Sequence, residues 1–340
     1  MSLFKGLFVA GSLTAALALS VALPNQARAE TGEVRIAQQF GLAYLPLIIV
    51  KNQQLLEKHL AKAGLASTKV TWARLSGGSA TNDALLTNSV DYVAAGVAPL
   101  LILWDKTKGN LDVKAIGGLD ASSTFLNTNN PAVKTLRDFG PKDRIAVPSV
   151  KSSIQAVMLQ IAVEKEFGVG QHEKLDALTV ALPHPDATVA LLGGRSEITA
   201  HFTTPPFNHQ QLENPAVHRV TSSYDIFGGP TTVTSVYTTG KFRNANPKTF
   251  QAVFDAFREG HALIARDPAA AAKIFVDEEK SKLGEEWVRK LLADPTIKYT
   301  LTPQNTHKIA DFLHRVGTLK NKPADWRDYF FADLHDEKGS

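Results

Sequence analysis

The sequence has 340 residues, of which 44% are hydrophobic and 21% are charged, a composition typical of soluble globular proteins rather than of disordered chains. Lysine and arginine number 37 against 33 aspartate and glutamate, and without a basic block this balance excludes the footprint of a nucleic-acid-binding protein. The absence of cysteine excludes disulfides, thiolate metal sites, a cysteine nucleophile and lipid attachment through cysteine.

The first 29 residues have the pattern of a cleavable export signal. Lys5 precedes an apolar run over residues 7–23, and Ala27-Arg28-Ala29 offers small residues for cleavage. The alternative is an uncleaved membrane anchor, since roughly 17 apolar residues can just span a bilayer. Small polar residues within the run, followed by Pro24, favour cleavage. The sequence therefore predicts a signal peptide over residues 1–29 and a freely soluble mature chain that begins at Glu30.

From residue 30 onward, β-rich runs alternate with helical patterns, which indicates an α/β fold with a mostly parallel sheet. The predicted strands cover residues 34–38, 69–75, 90–95, 113–119, 144–148, 178–182, 197–202, 217–221 and 231–239. The predicted helices cover residues 47–63, 81–88, 154–167, 187–192, 247–265, 268–277, 285–293 and 304–316. Asn246, Asp267 and Thr302 are the expected caps of three of the last four helices. These four helices are expected to pack back on the first part of the chain.

The strand and helix pattern starts again after residue 130, which predicts two lobes. The polar stretch over residues 120–130 is interpreted as a first crossing between them, and residues 222–237 as a second. In open α/β sheets, ligands bind beyond the carboxyl ends of the strands. The loops at those ends are therefore the candidate binding segments.

Three of these loops, residues 38–44, 76–81 and 149–153, are rich in Gly, Ser and Thr or contain exposed amides at a helix start. Backbone N–H groups at a helix start suit an anion, and the hydroxyls of Ser79, Thr81, Ser152 and Ser153 can donate further hydrogen bonds. The alternative is that Ser79 and Ser152 are ordinary helix caps. Phe40, Tyr44, Phe125 and Phe202 could sandwich a ligand or pack in the core.

His201 follows a strand, and a protonated imidazole there could pair with an anion, although a structural histidine is the alternative. Neither Gly77-Gly78 nor Gly193-Gly194 fits a phosphate-binding loop. The ten histidines show no metal-binding spacing, and His184, His201 and His209 are widely separated. Ser149-Val150-Lys151-Ser152 does not match Ser-x-x-Lys. No metal, cofactor or enzymatic activity is therefore expected.

Four dispersed patterns together resemble one family of proteins. They are Val34-Arg35-Ile36-Ala37 leading to Gly41 and Tyr44-Leu45-Pro46; Val70-Thr71-Trp72 through Gly78 to Asp83-Ala84-Leu85; Val90-Asp91-Tyr92 through Gly96-Val97-Ala98-Pro99; and Arg144-Ile145-Ala146-Val147-Pro148 before the serine-rich helix start. In this order and spacing, the mature chain resembles the nitrate/sulfonate/taurine group of ABC-transporter substrate-binding proteins over nearly its whole length.

The resemblance implies a type II periplasmic-binding fold, with two α/β lobes joined by two crossing segments and a ligand cleft between them. Lobe I is expected over residues 30–121 and 238–340, and lobe II over residues 122–237. The ligand-binding residues expected from the loops and the resemblance are Gln39, Phe40, Tyr44, Gly78, Ser79, Gly96, Val97, Ser149, Ser152, Ser153, His201 and Thr203. His201 departs from the small or acidic residue that the family often has there.

The function that the resemblance implies is capture of a small anion, such as a sulfonate, taurine, nitrate or a carboxylate, in the periplasm. The expected partners are an ABC permease and its ATPase, and the protein is expected to be monomeric. A periplasmic sensor or docking protein, a pyrimidine-precursor-type binding protein and an enzyme on the same fold are the alternatives.

Overall fold

The computed structural model describes residues 30–194 and 196–340, so the predicted signal peptide lies outside the described residues. The strands are β1 (Glu33–Gln38), β2 (Lys69–Arg74), β3 (Tyr92–Gly96), β4 (Val113–Asp120), β5 (Phe125–Thr128), β6 (Ile145–Val147), β7 (Thr179–Ala181), β8 (Ala200–Thr203), β9 (His218–Ser222) and β10 (Thr234–Thr239). They form an α/β structure, which confirms the predicted fold class.

Helices cover both sheets. They are α1 (Leu45–Asn52), α2 (Leu55–Lys62), α3 (Gly78–Leu86), α4 (Val97–Thr107), α5 (Ile154–Phe167), α6 (His184–Gly193), α7 (Phe207–Leu212), α8 (Ser223–Phe227), α9 (Gly240–Ala245), α10 (Pro247–Arg266), α11 (Pro268–Glu279), α12 (Glu285–Leu292) and α13 (Thr306–Arg315). Among the residues that the structure describes, no helix is both long enough and apolar enough to cross a membrane.

The strands form two five-stranded sheets of the same design. The first has the order β2-β1-β3-β10-β4 and the second the order β7-β6-β8-β5-β9. In each sheet, four strands run in one direction and one inner strand, β10 or β5, is antiparallel to both of its neighbours. The chain passes from the first sheet to the second between β4 and β5, and returns between β9 and β10.

The strand residues explain this layering. In β1 the side chains of Val34 and Ile36 are buried while Glu33 and Arg35 are partly exposed, whereas all five residues of β3 are buried. A strand buried on both faces is typical of a parallel sheet covered by helices on each side. On one of these faces, α10 packs against α1 and α2, and α11 packs against α1, which confirms that the later helices pack back on the first part of the chain.

The prediction of one helix over residues 47–63 is wrong, because the helix is interrupted between α1 and α2. Gln54 adopts a left-handed backbone conformation with φ of 51°. Residues 45–50 are all buried, whereas α2 buries only Leu55, Leu56 and Leu60 on one side. The two segments therefore present different faces to the core, and one continuous helix cannot satisfy both.

The interpretation of residues 120–130 as a polar crossing is also wrong, because they contain strand β5. Its two polar side chains, those of Asn127 and Thr128, are buried and each donates at least one hydrogen bond. Asn127 Nδ2 donates to the Asn208 carbonyl at 2.9 Å, and Thr128 Oγ1 donates to the Thr199 carbonyl at 2.7 Å. Buried polar groups that are hydrogen-bonded are compatible with a strand interior. The crossing itself is reduced to residues 121–124.

Three cap predictions have different outcomes. The Asp267 carboxylate accepts a hydrogen bond from the Ala270 amide at 2.9 Å at the start of α11, as predicted. Asn246 precedes α10 but makes no side-chain cap bond. Thr302 is the wrong residue, because α13 begins after Asn305.

The predicted lobe boundaries remain a prediction. Strand β10 of the first sheet begins at Thr234, four residues before the predicted boundary at residue 238.

Candidate functional site

The carboxyl ends of strands from both sheets surround one small cavity. Gln39 follows β1, Gly96 ends β3, Pro148 follows β6 and Thr204 follows β8. The lining residues are Gln39, Ala43, Tyr44, Gly78, Gly96, Pro99, Pro148, Ser153, Ile154, Gln155, His184, Thr204 and Thr234. Both sheets contribute, so the cavity lies between the two halves of the molecule, where α/β folds of this kind bind ligands.

Four helices begin at the wall of this cavity. Gly78 is the first residue of α3, Gly96 precedes α4, Ile154 begins α5 and His184 begins α6. The first amides of a helix have no partner within the helix and carry part of its positive dipole. The cavity wall therefore offers N–H donors and positive potential, an arrangement that binds anions in other proteins.

The lining side chains carry no formal charge at neutral pH. Burial lowers the pKa of His184 to about 3, and burial followed by the field of Asp120 raises the pKa of Tyr44 well above its ordinary value. Gln39 Oε1 accepts a hydrogen bond from the Gly77 amide at 3.1 Å, which leaves its amide nitrogen as a donor. The side chains of Gln39, Gln155 and His184 thus supply neutral hydrogen-bonding groups.

One buried carboxylate lies just behind the lining. Asp120 is fully buried, accepts a hydrogen bond from Thr234 Oγ1, and accepts a weaker one from the Ser122 amide at 3.4 Å. Burial raises the pKa of Asp120 to about 7, against the lowering effect of these hydrogen bonds. Its charge near the cavity therefore changes in the neutral pH range.

Comparisons of the sequence give no match. No protein-family model matches the chain, and no curated protein sequence matches it. Three solved structures show what the fold is similar to. The alkanesulfonate-binding protein SsuA from Xanthomonas axonopodis pv. citri, bound to MOPS, is 20% identical with a TM-score of 0.68, covering 86% of this chain and 96% of that one.

The periplasmic nitrate-binding protein NrtA from Synechocystis PCC 6803 is 14% identical with a TM-score of 0.65, covering 91% of this chain and 86% of that one. A Candida albicans protein described as having the generic periplasmic binding protein fold is 17% identical with a TM-score of 0.64, covering 86% of this chain and 92% of that one. The chain has the periplasmic-binding-protein fold. The resemblance stated from the sequence is confirmed at the level of the fold.

In this periplasmic-binding-protein fold, five of the predicted binding residues line the cavity: Gln39, Tyr44, Gly78, Gly96 and Ser153. Ser153 is also the cap of α5. Its Oγ accepts from the Ala156 amide at 3.2 Å and donates to the Ser149 carbonyl at 2.7 Å. Ser149 thus supports the helix start through its backbone and does not line the cavity.

Four other predicted residues lie beside the cavity. Phe40 lines a separate groove, with the Arg74 guanidinium 5.1 Å from the centre of its ring. Ser79 Oγ and Ser152 Oγ lie 3.0 Å apart in a neighbouring pocket, and neither residue is the helix cap. Val97 is fully buried, and its amide donates to the Val233 carbonyl at 3.0 Å.

His201 and Thr203 lie one layer deeper. Both are fully buried, and His201 Nε2 and Thr203 Oγ1 are each 2.9 Å from His184 Nδ1. Burial, and next the field of His184, lowers the pKa of His201 well below its ordinary value. The structure therefore places a neutral His201 behind His184, and not a charged imidazole facing the cavity.

Sequence reasoning missed His184, Gln155, Thr204 and Thr234 as lining residues. The strand-end rule could have found two of them, because His184 follows β7 after two residues and Thr204 follows β8 directly. His184 was considered only as a metal ligand. Among the described residues, no cluster of three His, Asp or Glu side chains could hold a metal ion.

Proposed function

We propose that this protein captures a small anionic solute in the cavity between its two sheets. The observation that carries the proposal is the meeting of four helix N-termini at a cavity lined by uncharged polar groups. Helix amides and neutral donors can hold an anion such as a sulfonate, taurine, nitrate or a carboxylate without a countercharge. Solved proteins of the same fold that are named for alkanesulfonate and nitrate binding support this ligand class.

The proposal includes closure of the two halves around the solute. Two glycines at the starts of α3 and α4 lie against the segment that leads into α5. A Cβ at Gly77 would lie 2.4 Å from Ser149 Oγ, and a Cβ at Gly96 would lie 2.8 Å from Ile154 Cβ. Contacts this close need a residue without a side chain. The described arrangement therefore suits a closed state, with residues 121–124 and 223–233 as the crossings about which it opens.

Two exposed polar contacts between distant parts of the chain support the same motion. The Trp287 indole donates to the Glu213 carboxylate from α12 to the end of α7, and Ser79 Oγ and Ser152 Oγ lie 3.0 Å apart in the pocket beside the cavity. Because these groups are accessible to water, each contact contributes little on its own. They are the kind of contact that can form on closure and break on opening.

Delivery of the solute to an ABC permease and its ATPase completes the proposal, with the protein acting as a monomer in the periplasm. The resemblance of the sequence and the shared fold support it. N-terminal sequencing of the exported protein is expected to start at Glu30. A mature protein that retains Met1 would contradict the cleaved signal.

We also propose that the cavity binds its ligand without converting it. The one serine hydroxyl in the lining, that of Ser153, is already used to cap α5 and to contact Ser149. A ligand recovered unchanged after prolonged incubation with the protein is the expected result, and a converted product would favour an enzyme.

A thermal-shift screen tests the ligand class. The panel contains propanesulfonate, taurine, nitrate and benzoate, with uracil as the neutral comparison. A ligand at 100 times its dissociation constant stabilises the folded state by about 2.7 kcal/mol, which is easily detected. At least one anion is expected to raise the melting temperature. Stabilisation by uracil alone would refute the anion proposal.

A pair of variants then places the ligand. Gln155→Ala removes a cavity amide, and we expect it to weaken binding by about 1 kcal/mol, roughly fivefold, in calorimetry. Gln171→Ala is the matched control, because Gln171 is exposed beyond the far end of α5. Equal affinities of the two variants would show that the ligand does not contact this part of the cavity.

A further inference from the structure

A chain of buried hydrogen bonds leads from a backbone carbonyl to the cavity. It runs from the Asn208 carbonyl through Asn127, Gln211 and His201 to His184. Each of the four side chains has less than a tenth of its surface exposed. Which group donates and which accepts in each of these hydrogen bonds follows from the first acceptor, the Asn208 carbonyl.

The Asn208 carbonyl oxygen can only accept a hydrogen bond, so the group of Asn127 that lies 2.9 Å from it is the amide nitrogen. The reverse orientation of the amide would set two oxygens against each other. The second hydrogen of the same nitrogen points to Gln211 Oε1 at 3.0 Å. Gln211 is thereby oriented with its nitrogen on the side of His201.

Gln211 Nε2 lies 2.7 Å from His201 Nδ1, so this ring nitrogen accepts and carries no hydrogen. Its other hydrogen is donated to Thr188 Oγ1 at 3.0 Å, and that hydroxyl in turn donates to the His184 carbonyl. A neutral imidazole has one donor and one acceptor. The hydrogen of His201 is therefore on Nε2.

His201 Nε2 lies 2.9 Å from His184 Nδ1 and donates to it. The same argument then places the hydrogen of His184 on its Nε2, which faces Gln155 in the cavity lining. Burial disfavours a second proton on either ring, because it lowers the pKa of both histidines. This series of hydrogen bonds thus fixes which nitrogen of neutral His184 and of neutral His201 carries the hydrogen, and it does not give either ring a charge.

At the end of the chain, His184 Nε2 and Gln155 Nε2 lie 3.3 Å apart. With the Gln155 amide in this orientation both are donors, so they cannot satisfy each other, and a shared acceptor would satisfy both. We propose that this pair is the subsite for one unprotonated oxygen of the bound solute, and that Asn127, Gln211 and His201 are positioning residues that fix the His184 donor. This inference rests on the proposed function.

Nuclear magnetic resonance of the protein labelled with ¹⁵N-histidine tests the donor assignment without any ligand. In the wild-type protein between pH 6 and 8, the ¹⁵N shifts of His184 and His201 are expected to show a hydrogen on Nε2 and none on Nδ1. A hydrogen on Nδ1 of His184, or on both of its nitrogens, would overturn the proposal.

The variant Gln211→Glu tests the donor-to-acceptor direction of these hydrogen bonds. A carboxylate at this position accepts, so His201 would carry its hydrogen on Nδ1, and His184 Nε2 would become an acceptor. We expect the reversed tautomers and an affinity for propanesulfonate roughly 10- to 150-fold weaker, as for the loss of a hydrogen bond to a charged group. Gln210→Glu is the matched control, since it adds the same charge on α7 away from the chain and is expected to leave binding unchanged.

Propanesulfonate and nitrate serve as the probes for the subsite itself. Their binding to the wild-type protein is expected to shift the His184 Nε2–H resonance. Binding without such a shift would refute the subsite and would also fit a Gln155 amide turned so that its oxygen accepts from His184. If no anion binds, the proposed function fails, while the tautomers of the free protein still decide the donor assignment.

Discussion

Gly96 gives the sharpest test of closure, because it has no side chain where β3 meets α5. Its backbone, with φ of −60° and ψ of 155°, is open to any residue, so Gly96→Ala introduces no backbone strain. The new Cβ would lie 2.8 Å from both Cβ and Cγ2 of Ile154. Carbon atoms normally approach to about 3.5–4.0 Å, so the end of β3 and the start of α5 must move apart by roughly 1 Å.

Ile154 cannot move aside easily, because the clash involves the stem of a β-branched side chain in the first turn of α5. Overpacking of this kind costs about 1–3 kcal/mol. If the ligand-bound protein is closed as described, this cost appears in binding and weakens affinity by roughly 5- to 150-fold. The free protein can open, so its melting temperature is expected to change little.

Calorimetry with the best anion from the thermal-shift screen measures the affinity, and small-angle X-ray scattering of the ligand-bound protein measures its compactness. Gly140→Ala is the matched control, since a Cβ there has no neighbour within 4 Å. A larger radius of gyration of ligand-bound Gly96→Ala would separate incomplete closure from a direct clash with the ligand. Wild-type affinity together with wild-type compactness would refute the closure argument.

Two further predictions concern stability. Ser153→Ala removes the cap of α5 and is expected to lower the free energy of unfolding, measured in urea, by about 1 kcal/mol. The control Ser152→Ala is expected to change this free energy by less than about 0.5 kcal/mol. Equal losses in the two variants would contradict the assignment of Ser153 as the cap. Burial raises the pKa of Asp120 from 3.8 to about 7. Between these two pH values the folded protein therefore keeps a proton on Asp120 that the unfolded chain has lost. The contribution of Asp120 to stability is therefore fully present below pH 3.8 and is lost as the pH rises to about 7. Asp120→Asn is expected to remove this decline, seen as a pH-dependent difference between the two proteins in urea unfolding; parallel curves would contradict it.

Much of the fold follows from local patterns. The strand at Val34 and Ile36 and the helix that ends at Gly168 are recognisable because their apolar residues recur with the period of each structure. Strand β5 was missed because Asn127 and Thr128 look like loop residues. Their burial depends on partners far along the chain, such as Asn208 and Thr199, which no local pattern shows.

The candidate site divides in the same way. The strand-end rule finds Gln39, Gly78 and Gly96, because their position depends only on where each strand stops. The role of His184 depends instead on which loops of the second sheet reach the cavity, and on a partner, His201, that is 17 residues away. From the sequence, a metal site at His184 and His201 was excluded by spacing and a charged imidazole was considered only for His201, whereas packing makes both rings neutral.

The way in which the chain threads the two sheets also constrains the order in which they can form. Strand β4 is joined to the first sheet through β10, and the paired residues Asp120 and Thr234 are 114 positions apart. All strands of the second sheet lie between these residues. The second sheet can therefore be completed from one continuous stretch of chain, while the first must keep β4 unpaired until β10 arrives. Because distant pairing slows folding, assembly of the first sheet is expected to be the later and slower event.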